Sequence, residues 1–158
     1  MNNLPRAIEL TEEIRASLEA EVAVAREERV LIRRMDSEGL MARATKRAAF
    51  NTRTAALMVS LGQTLAAAAE ELGLTEVTMD GLQSQAPVEG GKMASLLAEV
   101  RALAAKLSQL DALNRMLSQR ALSYVRAHLA VLSPKPAAYD RRGGGAKTDR
   151  TSTFVRVA

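Results

Sequence analysis

Few side chains here have both the type and the spacing to do chemistry, and most of those would do the chemistry of recognition. His128 is the single histidine and there is no cysteine. A thiolate metal site, a disulfide framework and a Cys/His nucleophile pair are therefore excluded, and a lone imidazole reads as a helix-edge residue. Carboxylates are frequent near the start, at Glu12, Glu13, Glu19, Glu27 and Glu28, but they alternate with Arg15, Arg26 and Arg29. That is the pattern of a solvated helix face. Gly143-Gly144-Gly145 has neither the strand before it nor the helix after it that a phosphate loop needs. No catalytic set, metal, cofactor or small-molecule substrate is expected.

Two recognition sets remain. The first is apolar: Leu122, Val125, Leu129 and Leu132, with Leu113 and Leu117 further up, lie at helical spacing beside a separate heptad seam. Such a spare stripe has three possible covers: an amphipathic helix of a partner, the N-terminal helix of this chain, or a second copy of the chain. Burying one of these side chains is worth roughly 1.5–3 kcal/mol, so four allow reversible binding once association entropy is subtracted. The second set is basic: Arg43, Lys46, Arg47 and Arg53, within a stretch from 39 to 69 that contains no acid. These could track a phosphate backbone together with the C-terminal tail.

The charge map argues against that nucleic-acid reading. The net charge is +4 and the pI about 9.8, but residues 133–158 hold six bases against two acids, the whole excess, and the body is balanced. No stacking aromatic platform accompanies the basic stretch, and the tail alone would give salt-sensitive, unspecific contact.

The elements that must position these residues are helices. From 93 to 131 the residues Met93, Leu96, Val100, Leu103, Leu107, Leu110, Asn114, Leu117, Ala121, Tyr124, His128 and Val131 keep a 3-4 spacing. That narrow stripe predicts a coiled-coil seam needing a partner helix. Asn114 sits at a core position, where a buried amide can fix register or remain partly solvated. Residues 5–72 carry Ile14, Leu18, Val22, Ala25, Ile32 and Met35, then Phe50, Thr54, Leu57, Leu61, Leu65, Ala68 and Leu72. They are expected as one helix, about 100 Å long at ~1.5 Å per residue, with Asp36-Ser37-Glu38-Gly39 its weakest point.

Gly73 ends that helix, and residues 73–91 read as a connection with at most a short helix near 78–84. A second helix spans about 92–132 and stops at Ser133-Pro134-Lys135-Pro136. The expected fold is all-α, an elongated antiparallel helical hairpin or coiled-coil bundle over 1–132, followed by a disordered, flexible basic tail over 133–158. No signal peptide or membrane span is evident, so a cytoplasmic protein is expected. The seam also allows a homodimer, and hence a purely structural homo-oligomeric coiled-coil adaptor.

Three segments in order resemble a known family. The first helix, with Glu19-Ala20-Glu21 and the charged stretch through Asp36-Ser37-Glu38-Gly39-Leu40, looks like the N-terminal helix of the FlgN-type flagellar export chaperones. The segment from Leu110-Asp111-Ala112-Leu113 to Asn114-Arg115-Met116-Leu117 resembles that family's Asn-containing lead into its final helix. Tyr139-Asp140-Arg141-Arg142-Gly143 is similar to its Tyr-x-x-x-Gly tail. The resemblance implies a cytoplasmic chaperone of type III flagellar export that binds C-terminal regions of hook-associated proteins and delivers them to the membrane export gate. It also makes Tyr139 a candidate contact to the gate's cytoplasmic domain.

Overall fold

The computed structural model describes residues 3–132, and no strand occurs among them. Four helices follow in order: α1 (Asn3–Arg34), α2 (Ser37–Glu71), α3 (Met79–Gln85) and α4 (Pro87–Leu132). The chain divides into two compact units, Met1–Ser123 and Tyr124–Ala158. The first holds the packed helices; of the second, residues 124–132 are described.

The single helix expected over 5–72 does not form, because the chain reverses at Met35-Asp36. The Asp36 N–H donates to the Leu31 carbonyl at 3.0 Å and the Met35 N–H to that of Ile32 at 3.1 Å. Between them Met35 takes a left-handed φ of 53°, which completes a Schellman end to α1. Asp36 then caps α2, its carboxylate accepting from the Gly39 N–H at 2.9 Å. One aspartate thus links the end of one helix to the start of the next, and α1 and α2 become an antiparallel αα-hairpin. Met35, expected on the apolar stripe, is 52% exposed at this corner.

The same closure ends α2, where Gly73 has φ 69°, Leu74 N–H bonds to Ala69 O at 2.9 Å and Gly73 N–H to Glu70 O at 3.1 Å. Glycine adopts that conformation without a Cβ penalty, whereas a side-chain-bearing residue gives up ~1–2 kcal/mol there. Met35→Gly should therefore stabilise the fold by up to about 1 kcal/mol after the extra freedom of the unfolded chain is subtracted. Circular dichroism should register this as a rise of roughly 2–4 °C in the thermal midpoint. A fall would mean that the Met35 side chain contributes more by contact than its backbone costs.

The direction of α4 follows from its contacts. Thr11 meets Met93, Arg15 meets Glu99, and Ala25 meets Asn114, so α4 runs parallel to α1. Arg47 on α2 meets Asp111, which with the hairpin makes α4 antiparallel to α2. The heptad helix is thus covered from within its own chain by two shorter helices of opposite direction. Its covered stretch supplies Met93, Leu96, Val100, Leu107 and Leu110 to a core shared with Ala7, Ile8, Leu10, Ile14, Leu18, Val22 and Ala25 of α1 and Leu61 of α2. Phe50, Leu57, Leu65 and Leu103 pack at its margin.

Thr11 is fully buried in this core and is satisfied locally, its hydroxyl donating to the Ala7 carbonyl at 2.8 Å. At the edge, Lys92 Nζ lies 2.8 Å from Glu12. The hydrogen bond and the ammonium charge hold the Glu12 carboxyl below its usual pKa. Its small contribution is present above the unfolded value and is lost as pH falls through the folded one.

The connection is more ordered than expected. Thr78 caps α3, its hydroxyl accepting from the Gly81 N–H at 3.1 Å, and α4 starts at Pro87, earlier than the expected residue 92, with proline in the first helical position. A second small core of Leu4, Ala68 and Leu82 sits at this end of the bundle. Gly90 permits the α3–α4 corner: a Cβ there would come within 2.7 Å of the Leu82 carbonyl oxygen and 2.8 Å of Gln83 Cα.

Candidate functional site

Three helices meet at a partly buried layer of charge. The Glu21 side chain of α1 is 8% exposed and bonds to Arg43 of α2, itself 6% exposed. Arg43 Nε also lies 3.3 Å from Glu28, although without hydrogen-bond geometry. Arg47, one turn further along α2, donates to Glu21 at 2.9 Å and grips Asp111 of α4 with both terminal nitrogens, at 2.5 and 3.2 Å. Its guanidinium lies 5.5 Å from the centre of the Phe50 ring.

Burial works against the charge on Arg47, but the hydrogen bonds to Asp111 and Glu21 outweigh it, and its pKa is raised. Asn114 completes the layer: its Nδ2 donates to the Ala25 carbonyl at 2.8 Å and its Oδ1 accepts from Arg29 at 3.4 Å. With Asn114 3% exposed, the open choice at that position is resolved toward a buried amide. It ties α4 to one level of α1, because sliding either helix by a turn would part the buried amide from both the Ala25 carbonyl and Arg29.

This layer changes the reading of the basic stretch on α2. Arg43 and Arg47 point into the bundle and are engaged by carboxylates, so the four cations do not form one outward strip. Only Lys46 and Arg53 are exposed. The nucleic-acid alternative loses the geometry it needed.

The apolar set divides by burial. In the first unit Leu113 and Leu117 are half-buried and Leu122 is 54% exposed. In the second, Val125, Leu129 and Leu132 are 37%, 57% and 78% exposed, and Val131 reaches 84%. The seam expected to continue to 131 is covered only as far as Ala121; Tyr124 and His128 are exposed. Their rings lie 4.2 Å apart, with His128 Nδ1 3.1 Å from the Tyr124 carbonyl, an arrangement local to one helical turn. Tyr139 lies outside the described residues.

No cluster of metal-ligating side chains occurs among the described residues, and no described helix is long and apolar enough to cross a membrane. Long helices held in register by an ion network, with no strand among the described residues, define an all-helical bundle protein. A family model described as FlgN protein matches residues 1–147, and the chain belongs to that family. It is accordingly a flagellar export chaperone, of a family that is not one of enzymes. No curated protein and no solved structure matches the chain.

Proposed function

We propose that this chaperone acts in the cytoplasm, binds the C-terminal helical regions of hook-associated, hook–filament junction proteins, prevents their premature assembly and delivers them to the export gate. The single observation that carries the client assignment is the run of exposed apolar residues Leu122, Val125, Leu129, Val131 and Leu132 near the end of α4. Uncovered leucine and valine on a regular helix lose free energy to water until another apolar face covers them. A client whose own terminal helices assemble through apolar faces supplies such a surface.

Titration of purified hook-associated C-terminal regions into the chaperone tests this directly. A saturable complex of defined stoichiometry is expected. Absence of binding, together with concentration-dependent self-association in sedimentation, would give the apolar turns to a second copy instead.

Delivery is assigned to Tyr139 by resemblance. A phenol ring offers apolar area and a hydrogen-bonding tip, the features of an interface anchor. Tyr139→Ala is expected to spare client affinity and to weaken docking on the gate's cytoplasmic domain by about thirtyfold, the equivalent of ~2 kcal/mol. Unchanged gate affinity would remove Tyr139 from the site.

A further inference from the structure

The two cations of α2 that remain outside the ion network line a groove that the proposed client surface does not use. Between α1 and α2 lie two concavities of about 540 and 360 Å³, which share Val24 and Lys46 as walls. The smaller is lined by Ala20, Val24, Ala49 and Phe50, by Lys46 and Arg53, and by Glu21, whose carboxylate is already engaged by Arg43 and Arg47. The larger runs toward the Met35 corner past Leu31, Gly39 and Ala42, with Glu27 and Glu28 on its α1 wall.

Arg43 also lines the larger concavity; it is 6% exposed, and its Nη1 has no hydrogen-bond partner. Among the described residues neither Lys46 nor Arg53 is paired with a carboxylate; Arg53 reaches only the Ser17 hydroxyl, at 3.4 Å.

We infer that this groove seats an amphipathic helix of a partner protein, bound through carboxylates that face Lys46 and Arg53. Small side chains on α2 at Ala42 and Ala49 alternate with Lys46 and Arg53 at 3-4 spacing, the repeat that one helix presents to another. Ala20 opposite them on α1 leaves room for a third axis to approach closely. Residues 39–53 extend about 21 Å at ~1.5 Å per residue, the length of a helix of four turns. Charge sets the polarity of the occupant. Its acidic turns lie toward Arg53 and Lys46, and a neutral or basic turn lies toward Glu27 and Glu28. The helix so bound would complete a four-helix arrangement on α1 and α2.

The test uses the full chain, isotope-labelled, and a synthetic helical peptide of about five turns with a Leu/Ala face and two Glu one heptad apart. The expected result is a saturable set of amide shifts centred on Ala20, Val24, Lys46, Ala49 and Arg53. A peptide with Lys in place of the Glu should bind at least about tenfold more weakly. Lys46→Glu with Arg53→Glu should weaken binding of the acidic peptide by a similar factor and favour the basic one, with the helical circular dichroism unchanged because both side chains are exposed. Ala49→Leu, which fills the floor without touching charge, should weaken both. Shifts that map to α4, equal affinity for the two peptides, or no saturable shift would each overturn the assignment.

Discussion

Glu21→Ala is expected to destabilise the bundle by about 3–5 kcal/mol, because it leaves Arg43 charged, buried and without its main partner. Arg43 is 6% exposed, so water cannot replace the lost carboxylate without opening the α1–α2 interface. Arg47 would lose one of its two anionic partners as well. By contrast, Arg15→Ala removes a bridge to Glu99 whose side chains are 39% and 49% exposed, and should cost no more than about 1 kcal/mol. Urea unfolding of the two variants measures the difference. Replacing the pair together, with Glu21→Leu and Arg43→Met, should recover most of the loss, since an apolar pair removes the desolvation penalty along with the attraction. Equal, small effects for Glu21→Ala and Arg15→Ala would mean that the layer is solvated in solution.

Val125→Asp combined with Leu129→Asp should abolish client binding. If each side chain contributes roughly 1.5–3 kcal/mol on burial, losing both weakens the complex by about two to four orders of magnitude, before the cost of desolvating two carboxylates. Neither residue belongs to the buried core, so the far-ultraviolet circular dichroism and the melting temperature of the free protein should hardly change. Calorimetric titration with a hook-associated C-terminal region reads the first effect and a thermal scan the second. Retained binding would move the client elsewhere, and a melted helix would make these residues structural.

The apolar residues told most about the fold. The 3-4 spacing from Met93 to Asn114 and from Ile14 to Ala25 placed the middle of the core, since burying a narrow stripe on a helix leaves few alternatives to helix packing, whereas Ala7, Ile8 and Leu10 extend it ahead of the expected stripe. The reversal at Met35-Asp36 was hidden because its left-handed position holds methionine where glycine usually stands. The weak point expected at Asp36-Ser37-Glu38-Gly39 begins at that corner, but its glycine is the third residue of α2 and a donor to the Asp36 cap. The Asp36 cap itself was a legible signal of a new helix.

The charged layer was hidden for a different reason. Arg43 and Arg47 look in sequence like any solvated cations, and only the packing of α2 on α1 and α4 turns them inward. One sign was available, because Glu21 falls between Leu18 and Ala25 at seam spacing. An acid in a seam asks where its counter-charge is. The apolar turns proposed to bind the client were written in the sequence as a second stripe beside the first; which side of α4 stays uncovered was not, since that depends on where α1 and α2 end.

The parallel course of α4 along α1 also orders events in time. The hairpin of α1 and α2 closes through contacts near in sequence and can form as soon as Glu71 has emerged from the ribosome. Its inner face, from Ala7 to Ala25, then waits for the 93–114 stretch. At ~5–20 residues per second that interval is about 2–9 s, during which Arg47 lacks Asp111 and the leucines of α1 lack their cover. A chain proposed to shield other proteins from premature association thus begins its own life with an apolar face exposed, and the arrival of α4 ends that exposure.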